Sequence, residues 1–255
     1  TNLKCVANFA VGYNNIDLVT AKARGVCVTN TPDVLTEATA DLAWALILSC
    51  ARRLPEGEKF VRKTGFKGWG ALFLLGQDLA GKTLGIYGFG RIGKAVAQRG
   101  RGWGVPVLYH QRHRESPSIE KRYNAKFVSF ETLLHKSDIL SVNSPLTPET
   151  KHRFTLKEFK QMKPSAIFIN ASRGPIHREA DLVKALKSKT IASAGLDVYE
   201  FEPKINKSLL KLSNCTLLPH LGSATLETRN KMALLAAENI KLVLLGRRPK
   251  TPVLK

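Results

Sequence analysis

Apolar positions along the chain fall into short blocks, and the spacing between the blocks changes character near residue 80. Beyond that point, the apolar runs at 83–87, 105–109, 126–128, 138–142, 166–169, 191–196 and 215–218 read as strands. Several are apolar throughout, as strands covered on both faces must be. The intervening segments 94–98, 130–136, 156–162 and 179–188 carry helical spacing. Strands alternating with helices predict βαβ units, hence an α/β fold built on a doubly wound parallel sheet. Upstream, 3–9 and 26–29 read as strands on either side of a helix over 16–24, with Gly25 at its C-terminal cap. Thr31-Pro32 looks like an N-cap followed by proline at the first helical position, opening a helix that runs to about Arg53. Its centre, 42–48, is apolar on nearly every side, which predicts burial or a subunit contact. A Gly-rich stretch follows at 65–76, and a last helix is predicted over 226–245.

Composition narrows the classes. The 255 residues are 44% hydrophobic, enough for a packed core, and carry 40 Lys+Arg against 20 Asp+Glu, a formal charge of +20. The basic residues are spread along the chain without a dense run or a reading motif. The charge is therefore read as a solvated surface that attracts small anions, and no nucleic-acid partner is expected. The apolar run 42–51 is too short to span a bilayer, so no membrane role is expected. Cys5, Cys27, Cys50 and Cys215 are scattered, with no Cys-x-x-Cys pair and no histidine at zinc-ligand spacing. Free thiols in a reducing compartment follow as the expectation, with no metal site and a cytoplasmic location.

Gly88-Phe89-Gly90-Arg91-Ile92-Gly93 has the form Gly-x-Gly-x-x-Gly. Alone this is a weak signal; between a predicted strand and a predicted helix it marks a Rossmann dinucleotide site. Gly88 permits the tight turn, Gly90 lets backbone N–H groups approach a pyrophosphate, and Gly93 allows close helix–strand packing. The anion would rest on the positive end of the helix. An NAD site places an acid at the end of the next strand for the ribose 2′-hydroxyl. Here that strand leads into His110-Gln111-Arg112-His113-Arg114, and no acid appears before Glu115. Guanidinium groups bind a 2′-phosphate that a carboxylate would repel. NADP(H) is the expected cofactor, with NAD(H) as the alternative.

Three more strand ends carry candidate chemistry. Arg173 follows the strand 166–169, Glu200 and Glu202 follow 191–196, and His220 follows 215–218. Carboxyl ends of strands are where open α/β sheets bind ligands. An arginine, a carboxylate and a histidine suit reduction of a 2-oxo acid: arginine grips the carboxylate and polarises the carbonyl, and histidine donates a proton. A carboxylate beside the histidine would keep it protonated.

With these residues in place, the chain resembles the D-isomer-specific 2-hydroxyacid dehydrogenases, most closely the glyoxylate/hydroxypyruvate reductases. The resemblance runs over essentially the whole chain. It is carried by Ala10-Val11-Gly12-Tyr13-Asn14-Asn15-Ile16-Asp17, Thr29-Asn30-Thr31-Pro32-Asp33-Val34, the glycine loop, and Pro145-Leu146-Thr147-Pro148-Glu149-Thr150. Toward the C-terminus it is carried by Asn170-Ala171-Ser172-Arg173-Gly174-Pro175, Asp197-Val198-Tyr199-Glu200-Phe201-Glu202-Pro203, and Pro219-His220-Leu221-Gly222-Ser223. It implies Arg173 as the substrate-binding arginine, His220 as general acid/base and Glu202 as its partner. Val11 and Gly12 would help hold the substrate carboxylate through their backbone. Gly88, Phe89, Gly90, Arg91, Ile92, Gly93, Gln111, Arg112, His113, Pro145, Ala171, Ser172, Asp197 and Gly222 would line the cofactor site.

The implied organisation is a cofactor domain over 32–221 and a flavodoxin-like substrate domain from 1–31 and 222–255. Family members begin earlier, so the N-terminal part of that second domain is expected to be missing. A homodimer is implied, with its contact on the long helix after Pro32. The implied reaction is NADPH-dependent reduction of a small 2-oxo acid, glyoxylate or hydroxypyruvate, to the D-2-hydroxy acid. The alternatives are another family enzyme such as phosphoglycerate dehydrogenase, disfavoured by the absent acid, and an NAD(H)-sensing corepressor-like binding protein. No partner-binding extension supports the latter. Departures from the family pattern are Arg178 at a helix start and Gly100 and Gly102 late in the first cofactor helix. A glycine inside a helix costs about 1 kcal/mol relative to alanine.

Overall fold

The structure, a computed structural model, describes residues 2–66 and 68–253. The chain divides into two compact units, residues 1–39 with 222–255, and residues 40–221.

In the first unit, β1 (Cys5–Ala7), α1 (Leu18–Ala23) and β2 (Cys27–Thr29) form one βαβ turn, with β1 and β2 parallel and Cys5 opposite Cys27. Asp17 caps α1 by accepting from the Thr20 N–H at 3.0 Å. Gly25, at φ +65, turns the chain after α1, where its missing Cβ removes the usual penalty. Ala21, Val26 and Val28 form the small core, with Val6, Ile16, Leu18 and Val253 packed against it. Thr251 joins the C-terminal tail to this core, its hydroxyl donating to the Asn30 carbonyl at 2.6 Å.

The helix expected from Pro32 begins later, as α2 (Thr36–Ala51). Asp33 sits at φ +70, in the left-handed region, so the Thr31-Pro32 pair opens a turn instead of a helix. Arg53, also left-handed at φ 53, then breaks the chain direction, and α3 (Leu54–Thr64) follows with proline in its first turn. Sequence reading did not anticipate α3.

The second unit holds the large sheet. Its strands are β3 (Leu84–Tyr87), β4 (Val107–His110), β5 (Ala125–Phe127), β6 (Ile139–Val142), β7 (Ile167–Asn170), β8 (Ser193–Leu196) and β9 (Cys215–Leu217). The crossovers contain α4 (Arg91–Gly100), α5 (Pro117–Tyr123), α6 (Phe130–Lys136), α7 (Leu156–Phe159) and α8 (Glu179–Lys187). All seven strands are parallel, in the order β5-β4-β3-β6-β7-β8-β9. The order reverses between β3 and β6, the switch point at which such sheets bind dinucleotides. α9 (Leu226–Leu244) belongs to the first unit.

Period-two alternation splits the apolar residues between two cores. Leu84 and Ile86 of β3, Ile139 of β6, and Ile167 and Ile169 of β7 face one side, with Ala43, Trp44 and Ile47 of α2. Tyr87, Leu140, Val142 and Phe168 face the other, with Leu133, Phe159, Leu182 and Leu186 from the crossover helices. The apolar centre of α2 is thus accounted for by its own sheet: of the two expectations for it, burial holds. Gly100 and Gly102 do not interrupt a helix. Gly100 ends α4, where an added Cβ would press on Val105 at 3.0 Å, and Gly102 lies in the 3-10 turn that follows.

Candidate active site

The cofactor loop follows β3. Gly88 is at φ +93, and a Cβ there would lie 2.7 Å from the Ser144 backbone nitrogen. A Cβ on Gly93 would meet the Gly88 carbonyl oxygen at 2.3 Å. Gly90 differs: it is the N-cap of α4, and nothing lies within 4 Å of where its Cβ would be. The first turn of α4 therefore presents its N–H ends to open space above Gly90, as a pyrophosphate cradle requires. Beside the loop, the Ser144 hydroxyl is buried without a hydrogen-bond partner. A cradle open only at its middle glycine and an orphaned buried hydroxyl next to it fit a bound dinucleotide.

The end of β4 is organised by hydrogen bonds that sequence did not reveal. The Phe89 N–H donates to Gln111 Oε1 at 3.0 Å, tying the glycine loop to the next strand end. The Phe89 ring is fully buried, stacked on Tyr109 with centroids 4.3 Å apart. Arg114 is committed to Glu120 by two hydrogen bonds of 2.9 and 2.7 Å. Chiefly through that contact, the Glu120 carboxyl is pulled down to about 2, and Tyr109 donates to the same carboxylate at 2.8 Å. Glu115, the first acid after the strand, pairs with Lys94 at 3.0 Å and accepts from Gln111 at 3.1 Å. Burial works to raise its pKa, but Lys94 and Gln111 carry it below the ordinary value. Arg112 and His113 stay exposed.

The β7 end is built on Asn170, fully buried. Its Oδ1 accepts from the Ser172 N–H at 3.0 Å and from the Ser172 hydroxyl at 2.9 Å. Its Nδ2 donates to the Arg173 carbonyl at 2.9 Å and to His177 Nδ1 at 3.0 Å. This amide has all its capacity engaged in shaping the turn that carries Arg173. Burial lowers the Arg173 pKa, and the Glu202 charge opposes that shift. A Cβ on Gly174 would fall 1.9 Å from the Tyr199 carbonyl, so this turn can lie against the chain beyond β8 only because residue 174 is glycine.

Beyond β8 the two glutamates separate in role. Glu200 accepts the Glu179 N–H at 2.8 Å at the start of α8 and contacts His152 Nε2 at 2.6 Å. Its own N–H donates to Glu179 Oε2 at 3.0 Å. Glu202 instead contacts His220 Nδ1 at 2.8 Å through Oε2 and accepts the Tyr199 N–H at 2.9 Å through Oε1. With Nδ1 against a carboxylate, Nε2 is the ring atom left for proton exchange. Asp197, fully buried, accepts the Leu221 N–H at 2.6 Å. The Pro145 carbonyl accepts from Thr150 at 2.7 Å, and Ala171 packs on the core. Val11, Gly12 and Gly222 belong to the first unit. There the Val11 and Gly12 carbonyls accept from Asn30 and Asn8 at 2.8 and 2.7 Å, and the Gly222 carbonyl accepts from Thr39 at 2.9 Å. Among the described residues, no group of three or more His, Cys, Asp or Glu side chains is arranged to hold a metal.

The chain is similar to known proteins in sequence and fold. The profile of the "D-isomer specific 2-hydroxyacid dehydrogenase, NAD binding domain" matches residues 44–222. The chain belongs to the D-isomer-specific 2-hydroxyacid dehydrogenase family. Within that family, a glyoxylate reductase of Thermococcus litoralis is 53% identical over 242 residues, covering 93% of this chain and 73% of the relative. The NADPH-dependent glyoxylate/hydroxypyruvate reductase of Sinorhizobium meliloti, solved with NADP and malonate, superposes with a TM-score of 0.91 at 40% identity. That match covers 98% of this chain and 77% of the other. The D-lactate dehydrogenase of Lactobacillus jensenii, solved with NAD+, is more distant, at 29% identity and a TM-score of 0.83 over 99% of this chain and 79% of that one.

Sequence reading missed Asn170 as a hub, the partnership of Glu200 with His152, and the buried His177. An asparagine at a strand end, two residues before a serine, was the available signal for the first. His177 gives a pH prediction. Burial, with a smaller contribution from His152, lowers its pKa from 6.5 to about 3, and Asn170 requires its neutral form. A depressed folded-state pKa means stability is fully present above the unfolded pKa of 6.5 and is lost as pH falls toward 3. Between pH 7 and 5 the loss from this residue should be about 2 kcal/mol. Urea unfolding across that range should show a shallower pH slope for His177→Val than for wild type; equal slopes would contradict the assignment.

Proposed function

We propose that the protein reduces a small 2-oxo acid, glyoxylate or hydroxypyruvate, to the corresponding D-2-hydroxy acid (achiral glycolate in the first case) using NADPH. The observation that carries this reading is the Glu202–His220 contact at 2.8 Å, with a largely desolvated Arg173 in the field of the same glutamate. When bound, the nicotinamide supplies a hydride to the substrate's carbonyl carbon. Arg173 pairs with the substrate carboxylate and polarises the carbonyl, more strongly for having been removed from water. His220 donates its Nε2 proton to the carbonyl oxygen as charge builds there, which completes the hydroxyl. Glu202 fixes the orientation of the imidazole through Nδ1, turning Nε2 toward the substrate. The ring then regains a proton from solvent.

Support for NADP over NAD comes from the β4 end. Arg114 is committed to Glu120 and Glu115 to Lys94 and Gln111, while Arg112 is exposed just beyond the strand, within reach of the Glu149 charge. The reductase relative solved with NADP is the nearer of the two holo structures compared, at 40% against 29% identity. The other cofactor contacts are assigned to the glycine loop, Gln111, His113, Pro145, Ala171, Ser172, Asp197 and Gly222. Cys50 and Cys215 are buried free thiols, and burial raises both pKa values, the first to about 11. Such thiols fit the cytoplasmic placement.

A homodimer is also part of the proposal, with a different surface from the expected one. α3 buries none of its residues, and Val61, Phe66, Trp69, Leu72 and Leu75 are all more than half exposed. A run of large apolar side chains this exposed marks an interaction surface.

Three outcomes check these assignments. His220→Ala should lower kcat by roughly 10²–10⁴, the usual worth of a positioned acid, with NADPH affinity unchanged; a loss under about fivefold would place the role elsewhere. Fluorescence titration should show tighter binding of NADPH than NADH, a preference that Arg112→Ala reduces by about 10- to 100-fold; equal affinities in the wild type would remove the NADP assignment. Sedimentation should find a dimer that Trp69→Glu combined with Leu72→Asp converts to a monomer, and a monomeric wild type would remove that surface.

A further inference from the structure

His220 has a backbone that histidine rarely adopts. Its φ is +57, inside the left-handed region, which costs a side-chain-bearing residue about 1–2 kcal/mol. Such strain persists only where the surroundings over-determine it. The preceding residue, Pro219, has no N–H to donate, so the turn must be held from outside. Two contacts hold it, one on each side of the strained residue. The Tyr199 hydroxyl donates to the Leu218 carbonyl at 2.9 Å, and Asp197 accepts the Leu221 N–H at 2.6 Å. Tyr199 also reaches the other member of the pair, since its N–H donates to Glu202 Oε1 at 2.9 Å. One residue therefore holds the glutamate through its backbone and the histidine's turn through its side chain.

We propose that Tyr199 is a positioning residue for the proton donor: its hydroxyl, bonded to the Leu218 carbonyl, keeps His220 in the left-handed conformation that sets Nδ1 against Glu202. This rests on the reading of His220 as the acid. Burial raises the Tyr199 pKa, so the hydroxyl remains a donor throughout the working pH range. The ring itself is nearly fully buried, and phenylalanine would fill the same space. Removing the hydroxyl therefore tests the hydrogen bond and not the packing.

The test is a double-mutant cycle on the whole chain, with glyoxylate and NADPH as probes. Tyr199→Phe should lower kcat by about 3- to 10-fold, the equivalent of one neutral hydrogen bond. NADPH affinity should be unchanged and Tm should fall by no more than about 4 °C. In a His220→Ala background, Tyr199→Phe should have no further effect on the residual rate, because a residue that acts through the imidazole has nothing left to act on. Unchanged kcat in Tyr199→Phe, beside a collapse in His220→Ala, would overturn the inference and leave the acid assignment standing. So would an equal loss in both backgrounds. If His220→Ala itself loses little, the acid assignment fails and this inference fails with it.

Discussion

The turns that carry Arg173 and His220 both lean on the seven residues that leave β8. Asp197 takes the Leu221 N–H, Tyr199 takes the Leu218 carbonyl, and Glu202 meets His220, so three contacts bind this segment to the turn after β9. On its other flank Glu200 ties it to the start of α8 and to His152. The turn carrying Arg173 can press against it only because Gly174 lacks a Cβ. Parallel strands deliver three chain ends to one edge of the sheet. The side chains of this one segment convert that proximity into fixed geometry. Each bond is individually modest, but at the buried Asp197 and Tyr199 the loss of a partner leaves a polar group unpaired out of water, and that is the costly direction.

Much of the fold was legible because it is written in periodicity and glycine. Buried parallel strands must be apolar, and the runs at β3, β6 and β7 declare themselves. The glycine loop is legible for a steric reason: at Gly88 and Gly93 any side chain collides with backbone. The start of α2 was misplaced because Thr31-Pro32 imitates a helix opening, while the left-handed Asp33 that turns the chain leaves no mark in composition. α3 does carry a helical pattern, but it is short, follows directly on the left-handed Arg53 and buries none of its residues in this chain, so sequence reading does not separate it from the preceding helix and the loop beyond. Most of the site's chemistry could be named, but not its wiring. Glu200 and Glu202 are equally acidic and two residues apart, and only the fold sends one to a helix start and the other to the histidine. Arg112 and Arg114 separate in the same way, through a glutamate on α5 that local sequence does not connect to either.

The charge of +20 also looks different once the partners are known. Several cations are engaged: Lys94 with Glu115 and Arg114 with Glu120 near the cofactor loop, and Arg99 with Asp41 at the far end of α4. The excess is a broad field over the molecule, suited to drawing in small anions, with Arg112 exposed near the cofactor loop.

The central claim is that Arg173, Glu202 and His220 form a proton-donating site for reduction of a 2-oxo acid. Its most direct test is the configuration of the product. Purified chain supplied with hydroxypyruvate and NADPH should consume the two in equal amounts and yield D-glycerate, as resolved by chiral chromatography. L-glycerate, or NADPH left unconsumed while the cofactor is demonstrably bound, would contradict it.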